Sequence, residues 1–250
     1  MDVDIPYGEK KIRVNIPEPC EILSNNKIEV KDEDKTIEEA LSKSIGMDSF
    51  EKFVQNSDRL LVIVNDASKP TPTSRVLEYI YPALSNHPDV KFLVATGTHK
   101  PPNEKECRFI FGRFYDIFKK RIFIHDSKKE ENMKYLGKTK SGTEVYLNKM
   151  VTDAKNVIVI GSVEPHYFAG YTGGRKAFFP GVASYKTVEM NHKFALSDNA
   201  NSLCLDDNPV HNDFIDAIRF DRPPRSTGID GLRNMKTIDR VYEEIKKQKG

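Results

Sequence analysis

Cysteine is scarce in this 250-residue chain: there are three, far apart at Cys20, Cys107 and Cys204. An odd number without any Cys-x-x-Cys spacing argues against a disulfide framework, a zinc knuckle or a redox pair, and all three are expected to be buried thiols. No apolar run approaches the ~20 residues a membrane span needs, and the first eleven residues carry no signal-peptide core. The expectation is a cytoplasmic protein with no membrane partner. Charge of one sign is also missing: 39 Lys and Arg face 37 Asp and Glu. They are interspersed and form no stripe, so nucleic acid is not an implied partner. No internal repeat or low-complexity tract is present, and the length is ample for a substantial core without staples.

What the chain does have is alternation. Short apolar runs at Leu60 to Val64, Val90 to Ala95, Arg121 to His125 and Val157 to Ile160 read as strands covered on both faces. Between them, Val76, Leu77, Ile80 and Leu84 recur at helical spacing in Thr73 to Leu84, and Cys107, Ile110, Phe111, Phe114 and Phe118 do so in Asn103 to Phe118. Further helices are expected over Thr36 to Ile45, Ser184 to Leu196 and Pro209 to Phe220, and Lys11 to Ile16 reads as part of an edge hairpin. The fold class is therefore α/β, a Rossmann-like open, mostly parallel sheet with crossover helices. One domain is expected over 1–220. The tail, 221–250, holds prolines, glycines and arginines followed by a polar helix, and reads as an atypical linker with an appended helix.

Ligands of such sheets bind beyond the carboxyl ends of the strands, and three of those ends carry polar motifs. After the first run come Asn65-Asp66-Ala67-Ser68-Lys69-Pro70-Thr71-Pro72, where Thr71 suits a helix cap and Pro72 a first turn. A helix start beside Lys69 could hold an anion, although an ordinary Asp turn and cap explains the same residues. After the second run, Thr96-Gly97-Thr98-His99 brings an imidazole to the sheet edge, and after the last, Gly161-Ser162-Val163-Glu164-Pro165-His166 brings another. Each alone is readily structural; two at two strand ends, if strand order brings them to one edge, form a constellation.

Gly170-Tyr171-Thr172-Gly173-Gly174-Arg175-Lys176 lacks Walker spacing and any Ser or Thr after its lysine, so it is no nucleotide-triphosphate loop. It is either a solvated basic turn or one presenting a lysine whose amine, in a partly dry pocket, can act as a nucleophile. His192 follows on a helix. No His-x-x-x-His or His-Glu-x-x-His occurs, so an ordinary zinc hydrolase is unsupported, though His99, His166 and His192 could converge on a metal. His87, His125 and His211 read as surface or core residues.

These motifs, with Ile5-Pro6-Tyr7-Gly8, Asn191-His192 and Asn208-Pro209-Val210-His211, resemble in order and spacing the nickel-dependent lactate racemase family over roughly Ile5 to Ile218. The resemblance implies a nickel-pincer nucleotide, a pyridinium-3,5-bisthiocarboxylic acid mononucleotide, tethered through Lys176, with His192 as the protein's ligand to nickel. It implies His99 and His166 as the two bases that take the hydroxyl proton of a 2-hydroxy acid, by default lactate, one for each enantiomer, while the α-hydrogen leaves as hydride to the cofactor. Asp66, Lys69, Thr71, Gly173, Gly174 and Arg175 become candidate cofactor contacts, and the enzymes that synthesise the pincer become partners. The chain departs from the family at Lys69, commonly an arginine there, and beyond Phe220, where family members continue into a further α/β domain. The expectation is therefore an isomerase whose activity alone is in doubt, or a non-catalytic cofactor-binding domain or half of a split enzyme needing a complementing chain.

Overall fold

The computed structural model describes residues 1–8, 10–21, 32–46 and 49–218. The tail expected as linker and helix, 221–250, lies outside the described residues. By packing, the chain divides into two compact units, Met1–Thr36 and the remainder from Ile37. In the first, β1 (Asp2–Tyr7) pairs antiparallel with β2 (Lys10–Asn15) in a two-stranded sheet of its own, so Lys11 to Ile16 contributes to a hairpin as expected.

The second unit is built on a four-stranded, all-parallel sheet of β3 (Leu60–Asn65), β4 (Val90–Ala95), β5 (Ile122–Ile124) and β8 (Asn156–Ile160), in spatial order β5-β4-β3-β8. The mostly parallel α/β expectation holds. Every residue from Leu60 to Val64 is buried, which is why β3 reads as an unbroken apolar run: it lies centrally with cover on both faces. At the edge, β5 departs from the expectation, with Phe123 and Ile124 about 40% exposed.

Chain order reverses beside β3. From it the chain passes through α3 (Thr73–Ser85) to β4, then through α4 (Glu104–Phe111) and α5 (Phe114–Phe118) to β5, and returns on the other side of β3 as β8. All three crossover helices cover one face of the sheet. There Leu77, Ile80 and Leu84 of α3 and Cys107, Ile110 and Phe111 of α4 join Leu60, Val62, Val64, Phe92 and Val94 in the main core. Phe92 packs edge-on against Phe111 and close to Phe118, with centroids 5.5 and 4.6 Å away.

The helix expected over Asn103 to Phe118 is two helices. Its start is a capping box between Asn103 and Glu106. It breaks at Gly112, which sits at φ +55°, where a Cβ would come within 2.9 Å of the Ser74 Cβ. The opposite face of the sheet is covered by α6 (Lys149–Asp153) and by 174–183, with Ala177 and Val182 against Leu61, Ile63 and Leu93.

A second apolar cluster joins β7 (Glu144–Asn148), which pairs with β6 (Met133–Lys138), to α7 (Tyr185–His192) and α8 (Pro209–Ile218) through Val145, Leu147, Phe168, Phe179, Val188 and Phe214. This hairpin was not foreseen from sequence, nor was the short α2 (Phe50–Gln55). The helix expected over Ser184 to Leu196 is α as far as His192 and a 3-10 turn over Lys193–Leu196, with Ser184 as its cap. The helix α1 (Glu33–Ser42) begins three residues before the expected Thr36. Of the three cysteines only Cys107 is buried; Cys204 is half-buried and Cys20 exposed, against the expectation of three core thiols.

Candidate active site

The three polar strand ends become neighbours because β4, β3 and β8 are consecutive in the sheet, and they meet where the strand order reverses. Side chains tie them together. Asp66, buried after β3, accepts from the Ser68 hydroxyl and backbone N–H on one oxygen, while its other oxygen lies 2.7 Å from Nδ1 of His99, after β4. Thr71 accepts from Asn65 Nδ2 at 2.6 Å and donates to Ser162 Oγ, after β8, at 3.1 Å.

One expectation changes here, and Asp66 gains a structural role. Thr71 does not cap α3, whose cap position is Pro72 without a side-chain bond; its hydroxyl is used across the strand ends instead. Asp66, expected at the cofactor, has its carboxylate committed to Ser68 and His99. A carboxylate against Nδ1 favours a proton on that nitrogen, so that in a neutral ring Nε2 of His99 carries the lone pair.

From Ser162 the chain makes a small hairpin of β9 (Pro165–His166) and β10 (Gly170–Tyr171), clipped by Thr172, whose Oγ1 accepts from Glu164 N and donates to Ser162 O. Gly173 then passes so close to the 162–163 segment, at φ +78°, that a Cβ would lie 2.8 Å from Ser162 O. This close approach accounts for the glycine by packing. A 3-10 turn over Gly174–Ala177 follows. Arg175 is buried, with Nη2 donating to the carbonyls of Ala169 and Tyr171, so its guanidinium braces the hairpin from beneath.

Lys176 is held between two aromatic rings, its Nζ 5.7 Å from the Phe168 centroid and 5.9 Å from that of Phe214. Burial, reinforced by the charges of Arg175 and Lys69, pushes its amine down to about 7. The same surroundings act on His166, lowered to about 4 by burial first and then by Lys176, Lys69, His192 and Arg175. His192, at the end of α7, is lowered by burial and by Lys176, with the Val188 carbonyl one turn back offsetting part of the effect. Its ring meets Phe168 edge-on at 5.1 Å, and its Nδ1 is sealed from solvent without a hydrogen bond.

His166, Lys176 and His192 therefore form one basic cluster whose neutral forms are favoured, with the charge of Lys69 acting on the first two. His99 lies on the same edge of the sheet, held against Asp66. Sequence reasoning placed Phe214 on the apolar face of the last helix but did not single out Phe168, which lies with it against Lys176, and gave no role to Asn65 and Ser162, which join the strand ends. Both stood in the motifs at the strand ends, Asn65 directly after one apolar run and Ser162 two residues after another. His125 is a core residue, its Nε2 donating to Ala183 O and its Nδ1 accepting from Asn148. Among the described residues no three His, Cys, Asp or Glu side chains are grouped to hold a metal, so the three-histidine zinc reading has no geometric support.

A sequence signature described as the lactate racemase N-terminal domain matches residues 7–203. The chain is 30% identical over 230 residues to a lactate racemase of Thermoanaerobacterium thermosaccharolyticum and 32% identical over 231 residues to one of Lactiplantibacillus plantarum. Each match covers 87% of this chain and 53% of the relative, so the chain spans about half the length of these proteins. The solved lactate racemase apoprotein from T. thermosaccharolyticum superposes with a TM-score of 0.75 at 29% identity, over 88% of this chain and 53% of that one. A Thermotoga maritima protein shares the fold, with a TM-score of 0.60 at 21% identity over 73% of this chain. With the signature spanning most of the described residues and a relative 32% identical over 87% of the chain, this chain belongs to the lactate racemase family through its N-terminal domain.

Proposed function

We propose that residues 1–220 form the cofactor-binding and proton-handling half of a 2-hydroxy acid racemase or epimerase, acting in the cytoplasm with lactate as the default substrate. The observation that carries this reading is the Lys176 amine, half-buried between Phe168 and Phe214 and lowered to about 7. A lysine neutral near pH 7 is a competent nucleophile; one at its ordinary value is almost entirely protonated there.

The residues fit a tethered nickel-pincer nucleotide. Lys176 would carry the covalent link. His192 would offer nickel a lone pair, since burial and the neighbouring amine keep its ring neutral. Lys69, with Thr71 and the backbone of Gly173 and Gly174, borders the space a phosphate-bearing group would occupy. Arg175 contributes its charge from beneath, its Nη2 donating to backbone carbonyls. When bound, the cofactor supplies the hydride acceptor.

The chain's own task is the hydroxyl proton. His99, oriented by Asp66, presents Nε2 to accept it, and His166 faces the substrate oxygen from the β8 side of the sheet. Lys69 offers a compact positive charge for the substrate carboxylate, in place of the bidentate clamp an arginine would form.

The test is co-expression with the pincer-synthesis enzymes, followed by intact mass and nickel content, beside Lys176→Ala. A cofactor-sized gain with bound nickel, lost in the variant, is expected; an unmodified wild-type chain under conditions that load a full-length relative overturns the reading. A second reading is a cofactor-binding half that turns over substrate only when the rest of the relatives' length is supplied, and the 53% coverage favours it. Interconversion of D- and L-lactate by the loaded chain, with and without a complementing chain, separates the two.

A further inference from the structure

The segment Asn208-Pro209-Val210-His211 takes no part in the chemistry above, yet Asn208 is fully buried and both ends of its amide are engaged. Its Oδ1 accepts from the N–H groups of Val210 and His211, closing the start of α8. Its Nδ2 donates to Phe168 O at 2.9 Å, and also reaches Cys204 O and Asn201 O at 3.2 and 3.4 Å.

The Phe168 contact matters for the site. The Phe168 carbonyl and the Ala169 N–H belong to one planar trans peptide, so they point in opposite directions. Asn208 grips that peptide by its oxygen. On the other side, Ala169 N–H is directed at Nδ1 of His166 at 3.3 Å, and Phe168 N–H joins it at 3.5 Å. A neutral imidazole whose Nδ1 accepts carries its proton on Nε2. His99 is arranged the other way, because Asp66 lies against its Nδ1.

We propose that Asn208 is a positioning residue: through the Phe168–Ala169 peptide it fixes His166 as the Nε2–H tautomer, so that the site pairs an acceptor nitrogen on His99 with a donor nitrogen on His166. The consequence for catalysis rests on the racemase reading. In the resting chain the two histidines are unequal, His99 ready to accept the hydroxyl proton and His166 ready to donate a hydrogen bond to a substrate oxygen. For His166 to act first as base, its proton would have to sit on Nδ1, facing two backbone N–H groups. The arrangement costs nothing extra to maintain, since the same Asn208 side chain also caps α8.

The experiment is nitrogen-15 NMR of the ligand-free chain labelled at histidine, near neutral pH, with His166→Gln and His99→Gln used for assignment. In the wild type, His166 is expected with a protonated Nε2 and an unprotonated Nδ1, and His99 with the reverse. Asn208→Ser keeps an oxygen able to cap α8 but cannot reach the Phe168 carbonyl. Asn208→Asp keeps both the shape and the cap while losing the amide donor. In either variant the two His166 nitrogen shifts should converge toward tautomer-averaged values while those of His99 stay where they were.

A wild-type His166 protonated on Nδ1 would overturn the proposal, as would an unchanged His166 signature in a folded Asn208 variant. Loss of the fold in both variants would also overturn it, making Asn208 a scaffold residue only. None of these readouts involves cofactor or substrate, so failure here leaves the mass result at Lys176 standing, and the converse holds.

Discussion

At the scale of single residues, the most consequential quantity is the proton affinity of the Lys176 amine. Burial first, then the charges of Arg175 and Lys69, disfavour its charged form, and among the described residues no carboxylate is hydrogen-bonded to it to compensate. A free amine is the reactive form, so its modification should follow its own titration. Labelling with an amine-selective acylating reagent, read by peptide mass, is expected to show Lys176 reacting with a midpoint near pH 7. A lysine at its ordinary value becomes reactive only toward about pH 10.4. A Lys176 profile that tracks exposed lysines would remove the physical basis of the proposed tether. The position of Lys176 in a glycine-rich turn was legible in the sequence; its dryness was not. The rings responsible, Phe168 and Phe214, stand eight residues before it and thirty-eight after, and only tertiary packing brings them together.

At the scale of elements, legibility followed the kind of signal each element carries. The central strand β3 announced itself as a run of apolar residues because both of its faces are covered, and α3 because Leu77, Ile80 and Leu84 repeat at helical spacing toward one core. The β6–β7 hairpin left no such trace. Tyr135 and Lys134 of β6 are exposed, the turn is polar, and its stability comes from a buried carboxylate: Asp213 on α8 accepts from the hydroxyls of Thr139 and Thr143 and from Asn191. Threonines at a turn and an aspartate seventy residues later give no local pattern.

The break between α4 and α5 was missed for a different reason. The apolar spacing runs on through Gly112, and one glycine within a helical pattern does not by itself mark a stop. The physical demand on that residue is nevertheless severe, since it combines positive φ with close contact to Ser74. Gly112→Ala is expected to destabilise the protein by about 1–3 kcal/mol, from backbone strain and displacement of the α3 start, measured as a lowered denaturation midpoint with unchanged slope. A neutral or stabilising result would mean that α4 and α5 can rejoin into the continuous helix the apolar spacing suggests.

For the whole molecule, the cluster that suits the site to its chemistry also sets the pH dependence of stability. Lys176, His166, His192 and the core residue His125 are all lowered in the folded chain, chiefly by burial. In each case, between the folded and the ordinary value, the unfolded chain holds a proton that the folded chain does not, so stability rises with pH across that interval. For His166 the interval runs from about 4 to 6.5, and for Lys176 from about 7 to 10.5. Burial raises the Cys107 thiol, which opposes this trend once pH passes its ordinary value of 9. The clean window for Lys176 is therefore pH 7 to 9. Chemical denaturation of the cofactor-free chain should show stability increasing through that window. In Lys176→Met, which keeps the length and apolar contacts of the side chain without the amine, the increase should vanish. The variant should also be more stable than wild type throughout, by up to a few kcal/mol at pH 7, because the unfolded wild-type chain there gains a solvated ammonium that the folded chain must give up. The opposite order, with Lys176→Met less stable and the pH slope intact, would mean that the amine is solvated and that the cost of drying it, on which the reading of this site depends, is absent.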